Sequence, residues 1–542
     1  MKKTKIICSI GPSSCSPDVM EQMVKKGMNV ARINFSHATL EEKQNVVATV
    51  KEVRQRTGAN VAILYDTKGP EFRNGMLEND EINLVDGKTI RLVKEDVLGN
   101  EERITVNHPQ AIDSLKVGDV ILLENGLMKI EVISEDNDGG VTCKIINGGV
   151  LGNKKSLSVP GVHLDIPFIS EQDREDIIYA CEHDGDFIAL SFVSTKDDVL
   201  EAKEILKQYN REDMKIISKI ESTTGIDNLD EIIEVSDGIM VAIGDLGVEV
   251  QMEELPFLEK LMIQKCREQS KVCVVATEML ESMKKSARPT RAEVSDVAYA
   301  VMSGADAVML SGETTTGKFP IETVANMANI CLNAEMHLEV KPSFEYKKEI
   351  GITQTIANSV AVSANMLNAK VIVAASLSGF TARKISNLRP NCPILAACPD
   401  EAVCRSLALN WGVYTVTVPM LETTDEVIEQ AIKKAREFVV MQPKDIIIVT
   451  GGLSELAGFQ YMVDNVFELK AKVCNINIMG IRHNKYSSAL GVVKYFDDKL
   501  ALRGKKMSLI SESEKDNLIS TGKKIVTNDN IVNKVFGHFF DN

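Results

Sequence analysis

Residues 214–245 read MKIISKIESTTGIDNLDEIIEVSDGIMVAIGD. Two short runs rich in β-branched residues, 214–220 and 238–243, lie within this stretch, and each gives way to polar groups. The first ends in Lys219 and Glu221, the second in Gly244 and Asp245. Runs of this kind read as strands. Outward from it the pattern repeats, at 4–10, 28–35, 60–65 and 187–192 on one side and at 271–276 and 307–310 on the other. Most are followed by an amphipathic helical stretch, such as 40–56 or 256–269. Eight strands alternating with helices predict an α/β chain built on a closed (β/α)8 TIM barrel over residues 1–69 and 168–341. An open doubly wound sheet is the rival, and the strand count favours the barrel.

One connection is far too long for a loop, about a hundred residues between the third strand and the helix beginning near Glu171. Its content is β-like, at 81–84, 89–93, 119–123, 129–134 and 141–146. An all-β domain inserted over 70–167 is expected, with Pro160-Gly161 and Pro167 marking the return. After Pro342 the pattern restarts. Strands at 370–375, 392–397, 413–418 and 445–450 and helices at 353–367, 401–409 and 424–439 predict a parallel α/β domain over 342–497. Residues 498–542 read as a flexible linker and a terminal amphipathic helix.

The whole chain has 542 residues, enough for three or four domains, and its 44% hydrophobic and 26% charged content is that of a globular protein. A net charge of −15, with 5% aromatic residues and the single tryptophan Trp411, argues against nucleic acid as a partner. The sequence holds no apolar run long enough to span a bilayer. Eleven cysteines without CxxC spacing fit neither a zinc knuckle nor a disulfide framework, so a cytoplasmic setting is expected.

In a barrel the active site lies where strands end. Strand two would deliver Arg32, Asn34, Ser36 and His37, and strand three Asp66, Thr67, Lys68 and, through the next turn, Arg73. Strand five would deliver Lys219 and Glu221, strand six Gly244-Asp245, strand seven Thr277-Glu278 and strand eight Ser311 and Glu313. Arg32, Arg73, Lys68 and Lys219 suit phosphate or carboxylate groups. Glu221 and Asp245 are hard oxygen ligands suited to Mg2+. Cations for spread charge plus a bridging metal are what phosphoryl transfer needs. The plainer alternative is that Lys219 and Glu221 form a structural ion pair. Gly312 to Lys318 nearly matches a phosphate-binding loop, but Phe319 stands where the hydroxyl is required and Pro320 follows, so that reading is set aside.

At these residues the chain resembles the pyruvate kinase family, over about residues 1–440. The resemblance is carried by Asn29 through His37, Asp66 through Arg73, Ile217 through Glu221, Gly244 through Gly247, Arg288 through Val297 and Ala305 through Glu313. It implies transfer of phosphate from phosphoenolpyruvate to ADP through a metal-stabilised enolate. By family pattern Glu221 and Asp245 hold Mg2+ or Mn2+, and Lys219 stabilises the moving phosphoryl group and the enolate. Arg32 and Arg73 bind phosphates, and Thr277 sits near the carbon that is protonated. Asn34, Ser36, Asp66 and Thr67 form the K+ cage, with Glu71 paired to potassium dependence. Gly244, Lys68, Ser311 and Glu313 are expected to bind substrate. The inserted β domain would be a lid, and a homotetramer would be the assembly. Ser376, Ser378, Gly379 and Thr381 resemble the loop where relatives bind an effector phosphate, against the alternative of a plain strand-to-helix turn.

The chain departs from the family at Ile243, where arginine is usual, at Glu278, where glutamine is usual, and at Tyr299. From about 445 to 542 it resembles instead the end of the bacterial actin-like cell-division ATPase, through Thr450-Gly451-Gly452 and Ser488-Ala489-Leu490-Gly491. Ile531, Val532, Val535, Phe536, Phe539 and Phe540 share one face at helical spacing, which suits either peripheral membrane contact or docking on the protein itself. The functional rivals are another metal-dependent enolate-forming barrel lyase and a catalytically weakened membrane-surface scaffold.

Overall fold

The computed structural model describes residues 1–36, 38–338, 352–419, 424–440, 442 and 445–450. Eight parallel strands close into a barrel: Lys5–Ser9, Val30–Asn34, Ala62–Asp66, Phe187–Leu190, Lys215–Ile220, Gly238–Ala242, Val272–Ala276 and Ala307–Leu310. They are numbered one to eight in that order, and strand one pairs with strands two and eight to complete the ring. The physical reason is visible in their burial. Side chains alternating along each strand point either into the barrel or out to the helices, and both destinations are dry. Ile7, Val30, Leu64, Phe187, Ile217, Met240, Val274 and Met309 fill the interior. Ile6, Cys8, Ile33, Ile188, Ile216, Ile239 and Val275 face outward against the helical ring.

The helices begin where the sequence supplies acceptors for their free N–H groups. Thr39 and Glu42 form a reciprocal cap on helix Leu40–Thr57, as do Thr290 and Glu293 on helix Arg291–Ser303. Ser170 and Asp173 cap helix Glu171–Glu182, and Asp173 does more, because its Oδ1 also accepts from the backbone N–H groups of Lys68 and Gly69 at 3.1 Å each. The turn that leaves strand three for the inserted domain is thereby tied to a helix. That turn needs Gly69, whose φ of +72° and whose approach to Ser191 leave no room: an added Cβ would lie 2.8 Å from the Ser191 carbonyl oxygen.

The insertion is all-β with its own apolar core, including Ile90, Leu92, Ile104, Ile121, Ile130 and Val132. Its strands are Glu81–Leu84, Thr89–Val93, Arg103–Thr105, Val120–Leu123, Met128–Glu135, Val141–Asn147, Gly149–Gly152 and Leu157–Ser158. They form a six-stranded curled sheet and a two-stranded ribbon. Arg103–Thr105, Gly149–Gly152 and Leu157–Ser158 were not expected from sequence. Two to four residues carry too little period to be read, and their partners define them.

The chain divides into two compact units, one of Met1–Glu339 with Glu401–Thr415, the other of Val340–Asp400 with Val416–Asn542. In the second, strand Val371–Ala375 lies between Ile394–Cys398 and Ile447–Thr450, all parallel. The stretch 401–415 packs with the barrel. Leu409 enters the interior cluster, Trp411 is buried, and Arg405 Nε donates to Asp186 Oδ1 at 2.8 Å. Among the described residues no helix is long and apolar enough to cross a membrane. His37, and residues 451–542 with the cell-division-like stretch and the terminal apolar face, lie outside the described residues.

Candidate active site

The carboxyl-terminal ends of the strands bring one group of predicted residues into direct contact. Asp66, 1% exposed at the end of strand three, is its centre. Arg32 on strand two donates through Nε to Asp66 Oδ2 at 2.7 Å, and Lys219 on strand five reaches Oδ1 at 3.3 Å. Lys219 Nζ also lies 3.0 Å from Glu221 Oε1. Parallel register explains part of the convergence: Asn34 is the neighbour of Asp66 across strands two and three, and Ser36 N–H donates to Asn34 Oδ1 at 3.1 Å. The potassium set named from the family therefore gathers at one rim.

Burial sets the electrostatics. It works against the charge on Asp66, yet Arg32 and Lys219 outweigh it and hold the carboxyl below its usual range. Burial likewise opposes the Lys219 ammonium, and Asp66 and Glu221 reverse the balance, so its pKa lies above the ordinary lysine value. Glu221 behaves differently. Burial pushes it up, Lys219 pulls it down, and the like charge of Asp245 pushes it up again, with a net rise. A deeply buried carboxyl whose charge is opposed by burial and by an exposed carboxylate nearby is what a divalent cation would relieve. Among the described residues there is no cluster of three or more metal-ligating side chains. A pair of carboxylates is a donor set that suits Mg2+, which takes one or two carboxylates and completes its shell with substrate and water.

Thr277 and Glu278 follow strand seven with φ of +73° and +54°. For a β-branched residue such a backbone is strained, and strain of this kind gathers at functional sites. Thr277 Oγ1 accepts from Gly244 N–H at 2.7 Å, which joins the ends of strands six and seven. Glu278 is exposed beside it. Ile243, an expected departure from the family pattern, packs against the outer core, and Tyr299 donates to the Pro256 carbonyl at 2.9 Å.

Other predicted residues lie in separate groups. Arg73 makes a two-pronged contact with Glu71, Nε to Oε2 at 2.9 Å and an Nη to Oε1 at 2.7 Å, and donates to the Lys154 carbonyl. Lys68 Nζ is 3.4 Å from Glu71 Oε2. This cluster stands at the base of the inserted domain. Glu313 is fully buried, and its two oxygens accept from Leu280 N–H and Ser311 N–H at 3.0 and 2.7 Å, so it holds the loops of strands seven and eight in place. Thr314, within the near phosphate-binding motif, donates to the Ser9 carbonyl, and that turn packs as structure. In the second unit, Ser376, Ser378 and Gly379 join strand Val371–Ala375 to helix Phe380–Asn387, which contains Thr381, with Gly379 at the cap with φ of +73°.

Two hydroxyls were missed. Ser9, at the end of strand one, accepts from Arg32 at 2.7 Å. Ser191, just after strand four, accepts from Lys219 Nζ at 2.8 Å. All eight strand ends therefore contribute, not six. The available signal was position alone, because a lone serine at a strand end carries no chemical mark.

Comparison with known proteins shows the family. Residues 1–324 match the pyruvate kinase barrel domain and residues 354–460 the pyruvate kinase alpha/beta domain. The second match runs through Thr450-Gly451-Gly452, beyond the 440 expected from sequence. Pyruvate kinase of Geobacillus stearothermophilus is 45% identical over 456 residues, covering 83% of this chain and 78% of that one. Pyruvate kinase of Clostridium perfringens is 40% identical over 458 residues, covering 83% of this chain and 96% of its own length. A crystal structure of a pyruvate kinase from Cryptosporidium parvum superposes with a TM-score of 0.80 at 38% identity, covering 83% of this chain and 94% of that one. The chain belongs to the pyruvate kinase family.

Proposed function

We infer that this member of the pyruvate kinase family transfers the phosphoryl group of phosphoenolpyruvate to ADP, giving pyruvate and ATP. The observation that carries the reading is the packing of Arg32, Lys219 and Glu221 around or beside Asp66 at the strand ends. The bond from phosphorus to the enol oxygen breaks, and a bond from a terminal ADP phosphate oxygen to the same phosphorus forms. The enolate carbon then takes a proton and becomes the pyruvate methyl group. Lys219, held charged by Asp66 and Glu221, meets the phosphoryl oxygens as their charge spreads. Arg32 and Arg73 bind phosphate, with Gly244, Lys68 and Ser311 lining the substrate. Glu313 supports the Ser311 loop through its backbone contacts. Thr277, fixed by Gly244 N–H, is by family pattern the residue near the carbon that is protonated.

A divalent cation on Glu221 and Asp245 supplies neutralising charge to the substrate oxygens when bound, and K+ belongs with Asn34, Ser36, Asp66 and Thr67. Closure of the inserted domain excludes water from the transfer. A cytoplasmic homotetramer, an effector phosphate on Ser376, Ser378, Gly379 and Thr381, and a cell-division-like end beyond the matched residue 460 complete the reading. The setting rests on cysteine usage, and the others rest on sequence resemblance.

Steady-state assay of the full chain tests it. With Mg2+ and K+ present, ATP and pyruvate are expected in equal amounts, and a chelator should abolish both. Absence of ATP under those conditions would refute the assignment, and pyruvate formed without nucleotide would point to the lyase rival.

A further inference from the structure

We propose that Ser191 is a positioning residue for Lys219, its hydroxyl anchoring the ammonium between the two carboxylates that would otherwise draw it aside. The proposal rests on the phosphoryl-transfer reading above for its catalytic consequence, though not for its geometry.

A lysine ammonium has three hydrogens on a flexible four-carbon stem. Here they face Glu221 at 3.0 Å, Asp66 at 3.3 Å and Ser191 Oγ at 2.8 Å. The shortest of the three contacts is to the neutral group. Two carboxylates this close attract the ammonium strongly but without fixing where it rests, since Coulomb attraction is only weakly directional. A hydroxyl accepts along its lone pairs, and this one is itself fixed. Its hydrogen goes to the nearer of two acceptors, the Thr67 carbonyl oxygen at 2.7 Å rather than Asp66 Oδ1 at 3.3 Å, and the Ser191 backbone N–H donates to Thr67 Oγ1 at 3.2 Å. With the hydrogen spent there, a lone pair is left facing Lys219. Ser191 is 2% exposed, so no solvent competes for either bond.

The next residue extends the same device. Phe192 turns sharply, with φ of +57°, a backbone that a bulky side chain adopts only when its surroundings impose it. The turn aims the Phe192 N–H at Glu221 Oε2, at 2.7 Å. Two consecutive residues after strand four thus grip both Lys219 and Glu221, which leave strand five side by side. Removing an outer partner of this kind costs about 10- to 100-fold in activity where it orients a working group, and displacement by about 1 Å is enough to do so.

The test compares the full chain with Ser191→Ala and Ser191→Thr, by steady-state kinetics and by acetic anhydride labelling of Lys219 read against Lys68, whose side chain is 47% exposed. In Ser191→Ala, kcat is expected to fall about 10- to 100-fold, with KM for ADP and melting temperature essentially unchanged. Ser191→Thr, which keeps the hydroxyl, should recover most of kcat. Labelling of Lys219 relative to Lys68 should rise several-fold in the alanine variant and return toward wild type in the threonine variant. An active wild type with kcat undiminished in Ser191→Ala overturns the proposal, as does a loss that follows the melting temperature and is not rescued by threonine. A wild type that makes no ATP refutes the phosphotransferase reading instead. The labelling ratio still decides the anchor in that case, and an unchanged ratio rejects it.

Discussion

Glu259, on helix Leu255–Glu268, is 6% exposed, and its Oε1 has no hydrogen-bond partner among the described residues. Burial pushes its carboxyl up to about 7, and the like charge of Asp296 on helix Arg291–Ser303 adds to the rise. Replacing it by glutamine removes the charge and keeps the shape. Below the ordinary carboxylate value both folded and unfolded chains hold the proton, and the group is neutral toward folding. As pH rises, the unfolded chain releases its proton first, so stability is lost progressively up to a pH of about 7 and the full penalty applies above it. A rise from about 4.5 to about 7 corresponds to roughly 3 kcal/mol of penalty near pH 8 and about 1 kcal/mol near pH 5. Glu259→Gln should therefore gain about 2 kcal/mol more, relative to wild type, at the higher pH than at the lower. For a unit of this size that is about 3 °C in melting temperature. Differential scanning calorimetry of both proteins at the two pH values reads it. A melting-temperature difference that does not change with pH, or one that grows toward acid, would refute the assignment of a strained buried carboxyl.

Two further outcomes follow from sites already described. Glu278 adds a carboxylate on the exposed rim next to the Gly244–Thr277 link, where the proposed reaction would bring phosphate, so Glu278→Gln should raise kcat/KM about threefold at low salt, with the gain fading above about 0.5 M salt; a gain that persists in high salt would mean that charge is not the cause. For residues 528–542, vesicle flotation of the full chain and of a chain ending at 527 separates the two uses of the apolar face. Membrane contact predicts loss of flotation on truncation, and equal partitioning removes it.

Much of the barrel was legible because its strands are apolar on both faces and stop abruptly. Where Ile220 gives way to Glu221, or Tyr65 to Asp66-Thr67, the end of the strand is visible as a change of residue type, and a barrel puts such ends on one rim. The inserted domain was legible as an insertion and less so as strands. Its 81–84 and 89–93 runs alternate cleanly, whereas Gly149–Gly152 exists as a strand only because Glu81–Leu84 lies beside it. Residues 401–415 were read with the later α/β strands because their helical period is the same wherever they pack. That Leu409 fills the barrel interior is a fact about its neighbours.

The sequence by itself determined which elements form, which polar groups stand at their ends, and, through several long motifs, which family the chain resembles. Local composition controls these, so they survive being read one residue at a time. Only the tertiary structure decided the pairings. Arg32 meets Ser9 and Asp66, Lys219 meets Ser191 across 28 positions, and Glu313 is committed to backbone N–H groups rather than left facing the cleft. Closing eight strands into a ring sets all of these distances at once, and no segment carries that closure alone. The strained turns at Phe192 and Thr277 have the same origin, since a backbone is held in a costly conformation only by the fold around it.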